Sequence, residues 1–284
     1  MRTVRYRKVG LLALGAAIVS CAHAQTSPRN SSLEEFYRSL VANGHAAPME
    51  VQMKVMKQIP GTGSEEIKKA LPAILAALTY DDEGVKHNAL SGLYEISRRP
   101  DGAALLRDYI GPIGEVLMTS PQSETQGGVV VIFGNLTPPP PEVIPVLLRF
   151  LEQTSRDSNA QGGAVFELLK MAPEDAEVIA AIQEFLSRPL DGHTRIGLLN
   201  ALGNPHVKDA RLIAVLTASL DEPDEGVAPA AIQALTRIGR PALEQAEPVL
   251  RRLANSPSRP NEVTDQAKQA LQTLDALKKG KRTP

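Results

Sequence analysis

The chain has 284 residues, with 31 lysines and arginines against 32 aspartates and glutamates, one cysteine, no tryptophan, and only five tyrosines and five phenylalanines. The charge balance argues against a nucleic-acid sheath, which needs a basic face, and a single cysteine leaves no disulfide framework to build. With so few aromatics, Ala, Leu, Ile and Val must supply the core, which suits thin, closely packed helical layers better than a sugar cleft that stacks rings.

The chain begins with a basic cluster, Arg2, Arg5, Arg7 and Lys8, followed by an uninterrupted apolar or small-residue run from Val9 to Val19. That run is too short to span a bilayer, which takes about 20 residues, and it has no polar face. Residues 1–24 therefore read as a cleavable export signal, and the lack of an Arg-Arg pair argues against a twin-arginine route. Two processing sites compete. Ala22-His23-Ala24 before Gln25 is a small-x-small site, whereas Ile18-Val19-Ser20-Cys21 resembles a bacterial lipobox that would lipidate Cys21 and make it the mature N-terminus. The expectation is an exported, periplasmic protein, soluble or lipid-anchored, that meets a membrane only through Cys21. Loss of the leader removes four of the 31 basic residues and no acidic one, leaving 27 against 32 and a net charge of −5. Nucleic acid is not an expected partner.

Residues 25–32 form a polar linker. Ser32 with Glu35 three positions on makes a capping box, which predicts a helix from Leu33 to Asn43 ended by Gly44. From there a segment recurs seven times: a small residue, an aliphatic or aromatic residue four positions on, and a closing apolar residue three further. Ala231, Leu235 and Ile238 show it most clearly; Ala89, Leu93 and Ile96, then Val129, Phe133 and Leu136, Ala164, Leu168 and Met171, and Ala267, Leu271 and Leu274 repeat it. Weaker copies end at Ile59 and Leu202. The steps between closing residues are 37, 40, 35, 31, 36 and 36. A period of this size means stacked helical hairpins, so the predicted fold is an all-α, right-handed α-solenoid of about seven hairpins spanning 33–277, with a basic flexible tail over 278–284.

The first helix of each pair has its own mark, a proline near the start of an apolar run: Pro72, Pro112, Pro145 and Pro248. Proline removes a hydrogen bond and kinks an interior, so four equivalent kinks are expected to curve the outer helices around the inner ones. Polar turns within pairs and Pro- or Gly-bearing connections between them recur at regular spacing. The run Pro138–Pro141 is the strongest hinge candidate, but it is too short to divide the chain.

The kinking prolines, the Val227–Gly239 core pattern (Val-x-x-x-Ala-x-x-Ala-Leu-x-x-Ile-Gly) and the acidic turns Asp81-Asp82-Glu83 and Asp221–Glu225 resemble HEAT-repeat proteins, specifically the short bacterial type similar to the phycobilisome-lyase HEAT-like repeat. The resemblance covers residues 45–277 and implies an α-solenoid with a scaffold or binding role. The lyase activity is not carried over to an exported chain.

No HExxH, GxSxG, P-loop or paired-cysteine pattern is present, and no cofactor is implied. Asp221, Asp224 and Glu225 miss the EF-hand spacing and read as a solvated acidic turn. His87 and His193 hold equivalent motif positions three repeats apart, which at 8–10 Å per helix layer is about 25–30 Å, too far to share a metal. Turning the second helices by 100° per residue instead places Tyr94, Val131, Phe166, Leu169, His193 and Asn200 on the face opposite the core. An apolar middle with polar ends marks a partner surface. The expected function is a non-catalytic exported scaffold or adaptor that binds a protein along its concave face. The alternatives are a lipid-anchored envelope assembly factor and an enzyme or accessory unit holding a prosthetic group.

Overall fold

The computed structural model describes residues 32–280 except 154–157, 189 and 225, with the side chains of 158 and 159 also left aside. The export signal, the linker before Ser32, Cys21 and residues 281–284 lie outside the described residues. Within them every regular element is a helix, and the helices fall into seven consecutive pairs. The first pair is α1 (Leu33–Asn43) and α2 (Met49–Gln58), the second α3 (Ser64–Leu78) and α4 (Glu83–Ser97). In the third, α5 (Gly102–Leu106), a 3₁₀ turn (Arg107–Tyr109) and α6 (Ile110–Thr119) precede α7 (Ser123–Asn135). Then come α8 (Val143–Glu152) with α9 (Ser158–Met171), α10 (Ala176–Ser187) with α11 (Gly192–Leu202), α12 (Ala210–Ser219) with α13 (Val227–Ile238), and α14 (Arg240–Ala254) with α15 (Asn261–Gly280). The repeats form one compact unit that continues through the Pro138–Pro141 run.

Local chemistry explains the helix ends. Ser32 Oγ accepts from the Glu35 N–H while the Glu35 carboxylate accepts from the Ser32 N–H, and Gly44 closes α1 in the left-handed region at φ 70°. The acidic turn Asp81–Glu83 caps α4, and aspartates cap three other helices, whereas α13, after Asp221–Glu225, follows Gly226 with no side-chain cap. Asp82 Oδ1 accepts from Val85 N at 2.9 Å, Asp191 Oδ1 from Thr194 N at 3.0 Å, and Asp175 and Asp209 cap α10 and α12 likewise.

The motif residues are core. Ala89, Leu93, Ile96, Val129, Phe133, Ala164, Leu168, Ala231, Leu235, Ala267 and Leu274 are buried in one continuous apolar cluster. Two buried amides ten positions before the closing residues join consecutive helices. Gln126 Nε2 donates to Ser120 O at 2.9 Å, and Gln161 Nε2 to Phe150 O at 3.0 Å and Gln153 O at 2.9 Å. Each thereby ties its helix to backbone carbonyls at the end of the preceding first helix.

The prolines divide into two kinds, a correction to the four equivalent kinks. Pro72 and Pro248 lie inside α3 and α14. Pro112 and Pro145 are the third residues of α6 and α8, where the first-turn N–H has no intrahelical partner to lose. In the third repeat the 3₁₀ turn Arg107–Tyr109 covers the residue four before Pro112, so the outer helix is broken rather than bent. Residues 278–280 of the expected tail belong to α15. The last helix runs to Gly280, and Lys278 Nζ reaches Glu247 Oε2 at 2.7 Å, an attachment that holds the end of α15 against α14.

Repeats are stitched by cations on helix-end carbonyls. Arg99 donates from one guanidinium nitrogen to Ile59 O, Pro60 O and Thr62 O at 2.7, 3.0 and 2.9 Å, and its Nε donates to Asp101 Oδ1 at 2.9 Å. Hydrogen bonds from Arg99 and Ser64 hold the Asp101 carboxyl below the usual aspartate range. Arg188 reaches Leu151 O at 2.7 Å, Lys170 reaches Gly134 O at 2.7 Å, and Arg259 reaches Glu222 O and Asp221 O at 3.1 and 2.9 Å. A positive charge at a helix C-terminus also meets the negative end of the helix dipole.

From α4 to α15 the second helices pack on one another more extensively than the first helices do, which makes the second-helix row the inside of the stack. Close approach there uses glycine. A Cβ at Gly128 or Gly163 would touch Leu90 or Val130 of the preceding second helix. The first pair inverts this order: α1 lies tightly on α3, while α2 meets α4 only lightly. Tyr37 ties α1 to α4 as well. Its ring is fully buried, its hydroxyl donates to Asn88 O at 3.2 Å, and Gly92 leaves the space it occupies.

Candidate binding groove

Where α2 stands off from α4, a groove of about 500 Å³ opens across α2, α4 and α7. One wall is Met49, Met53 and Met56 with Gln52 and Lys57. The floor and far wall are Leu90, Ser91, Tyr94, Gly128 and Val131, and His87, Glu95 and Glu124 stand at the rim. Gln52 Nε2 donates to Ser91 Oγ at 3.4 Å across the gap. The lining is overwhelmingly apolar, and four of the large apolar side chains forming it are open to solvent. Met49 is 69% exposed, Met53 50%, Val131 47% and Tyr94 37%. Phe166, 41% exposed, continues the stripe on α9. Five of the six large apolar residues that stand exposed among the described residues thus share the second-helix face.

The six residues read from helical phase fare unequally. Tyr94 and Val131 meet in the groove. Tyr94 also carries the Arg98 guanidinium 5.4 Å from its ring centre. Phe166 and His193 are exposed farther along the row, and Asn200 is half-buried with its Oδ1 accepting from Arg237 at 2.8 Å. Leu169 is a correction: it is fully buried and belongs to the core. The cause is the phase of α9, whose buried face is turned by about one residue. Leu168 and Leu169 both point inward there, and the closing Met171 is left partly exposed.

The three methionines are the part missed by the phase analysis. The weak first copy was aligned on Ile59, but α2 ends at Gln58 and Ile59 starts a 3₁₀ turn. The usable signal was the spacing 49, 53, 56, an i, i+4, i+7 line on one helix face.

A second groove of about 350 Å³, of mixed polar and apolar lining, lies between α13 and α15, with Ile232, Gln233, Arg237, Gln266 and Ala270 among its residues. Among the described residues no three His, Cys, Asp or Glu side chains converge to hold a metal ion, and no helix is long and apolar enough to cross a membrane.

No family pattern matches the sequence, and no curated protein matches it. Solved structures with similar helical stacking exist. The HEAT-like repeats protein of Thermococcus onnurineus is 15% identical over 82% of this chain and 99% of that one, with a TM-score of 0.44. A computationally designed armadillo repeat protein for modular peptide recognition is 17% identical over 85% and 99%, TM-score 0.34. Another designed armadillo repeat protein, in complex with the peptide (KR)4, is 19% identical over 86% and 100%, TM-score 0.37. All three are helical repeat proteins, the class to which the sequence motif also pointed. At these scores the architecture of the present chain rests on its own helices, and the phycobilisome-lyase comparison rests on the sequence motif alone.

Proposed function

We propose that this protein is an exported, non-catalytic scaffold whose second-helix face binds a segment of a protein partner. The observation that carries the reading is the run of solvent-open Met49, Met53, Tyr94, Val131 and Phe166 along one face, ending in a groove large enough to bury side chains. Apolar surface of this extent with a polar rim is characteristic of partner sites, and methionine walls adapt to different apolar shapes. Phe166→Ala tests it. A central aromatic contact is worth about 2 kcal/mol or more in binding, so the variant should lose partner capture from envelope extract at least tenfold. Its melting temperature should stay close to that of the native protein, because Phe166 is not core. A fall in melting temperature typical of a buried Phe→Ala change, about 3–5 kcal/mol, would retire this residue as a contact.

Two forms of export remain in play because two processing motifs stand at the leader. Intact-mass measurement of the protein from the cell envelope distinguishes them. A chain starting at free Gln25 is the soluble scaffold, and a lipidated Cys21 is the anchored assembly factor. A chain retaining Met1 in the cytosol would contradict both.

A further inference from the structure

Three of the six methionines of the chain lie within residues 49–56, on one face of α2, and all three line the same groove as His87 of α4. Adaptable packing is one use of methionine in such a wall, and a line of thioethers is also a set of donors. Three thioethers at i, i+4 and i+7, two of them exposed and the third half-buried, offer a different chemistry. Thioether sulfur is a soft donor that selects Cu(I) among biological metals, and imidazole joins it readily. We propose that Met49, Met53 and Met56, with His87, form a site for a soft monovalent metal ion, Cu(I).

The geometry permits it. A rise of about 1.5 Å per residue separates the first and last of these residues by about 10 Å along α2. An ion beside Met53 is then about 5 Å from either end, within reach of an unbranched methionine side chain. The bond between Gln52 and Ser91 sets the register of the two helices. His87 lies one turn before Ser91 on α4 and lines the same groove. Glu124 Oε1 stands 3.7 Å from His87 Nδ1. A carboxylate there favours the tautomer protonated at Nδ1, which leaves the Nε2 lone pair for a metal. The hard-donor clusters that would suit Zn²⁺ or Ca²⁺ do not form among the described residues, whereas this set is sulfur-rich. No electron transfer is invoked; the ion is bound as Cu(I).

The site shares the groove with the proposed partner surface but does not depend on a partner. The test uses the purified protein in the form the cell processes, titrated without oxygen with Cu(I) against the chromogenic chelator bicinchoninate. The native protein should withdraw one equivalent per chain, and the copper K-edge of the loaded protein should show sulfur neighbours. The triple variant Met49→Leu, Met53→Leu, Met56→Leu keeps the apolar volume and removes every thioether. It should compete at least 100-fold less well with an unchanged helical melt, and His87→Gln should compete at least tenfold less well. A native protein that takes no copper, a triple variant that competes as well as the native, or an edge spectrum showing only nitrogen and oxygen would overturn the site. The copper measurements use the purified protein without a partner, so their failure bears only on the metal site, and failure of partner capture by the native protein bears only on the scaffold reading.

Discussion

Leu235→Asp is expected to unfold the C-terminal repeats. Leu235 is fully buried in α13, a helix that touches α11, α12, α14 and α15. A carboxylate at that position has no cation to pair with in the apolar cluster, so it either carries an uncompensated charge or takes up a proton. Loss of the leucine packing alone costs about 2–5 kcal/mol, and burying an unpaired polar group adds to it. Since stability in such a stack is shared between nearest neighbours, the loss should spread through α12–α15 while α3–α7 stay folded. Limited proteolysis combined with far-ultraviolet circular dichroism reads both parts. Leu235→Ala provides the graded control, less damaging but on the same side of zero. A Leu235→Asp chain that melts within a degree of the native protein would show that α13 is not packed as described.

Arg99→Ala is the second large effect. The side chain is mostly buried, and it supplies hydrogen bonds to three carbonyls at the end of α2 and to Asp101. Bonds from a charged donor are worth about 1.5–3 kcal/mol. Removing one that serves several acceptors at once should cost about 2–4 kcal/mol, with some of the orphaned carbonyls rescued by water. Urea unfolding followed by circular dichroism measures it. Arg99→Lys should recover only part of the loss, because a single ammonium lacks the planar fork that spans both the carbonyls and the carboxylate. Equal midpoints for Arg99→Ala and the native protein would mean that the end of α2 is held by Ile59 alone.

Much of this architecture was legible in the sequence because packing repeats itself. The small–aliphatic–closing pattern recurs wherever a second helix must lie against its neighbour, so Ala231, Leu235 and Ala267 announced both their helix and their burial. The Ser32–Glu35 box fixed the start of α1 from local chemistry alone. What failed was phase. In α9 a rotation of about one residue moved Leu169 from the expected groove into the core, and in α2 the use of Ile59 as reference concealed three methionines. Helical phase at this precision is set by how neighbouring helices settle together, which a repeat pattern does not encode. The cross-repeat bonds of Arg99, Arg188 and Arg259 were invisible for a related reason: their acceptors are backbone carbonyls, which carry no side-chain signature. Pro112 and Pro145 were misread as kinks because the sequence shows a proline but not the residue at which its helix begins.

The light contact between α2 and α4 has a consequence for how the groove accommodates its contents. One end of α2 is fastened: Ile59 is buried, and Arg99 holds the three carbonyls beside it. The other end begins at Pro48 with no side-chain cap, four residues beyond a left-handed glycine. A rod pinned at one end swings at the other. Because α1 is seated on α3, α2 alone is the element expected to yield, and Met49 and Met53 lie towards its loose end, facing α4 and α7 across the groove.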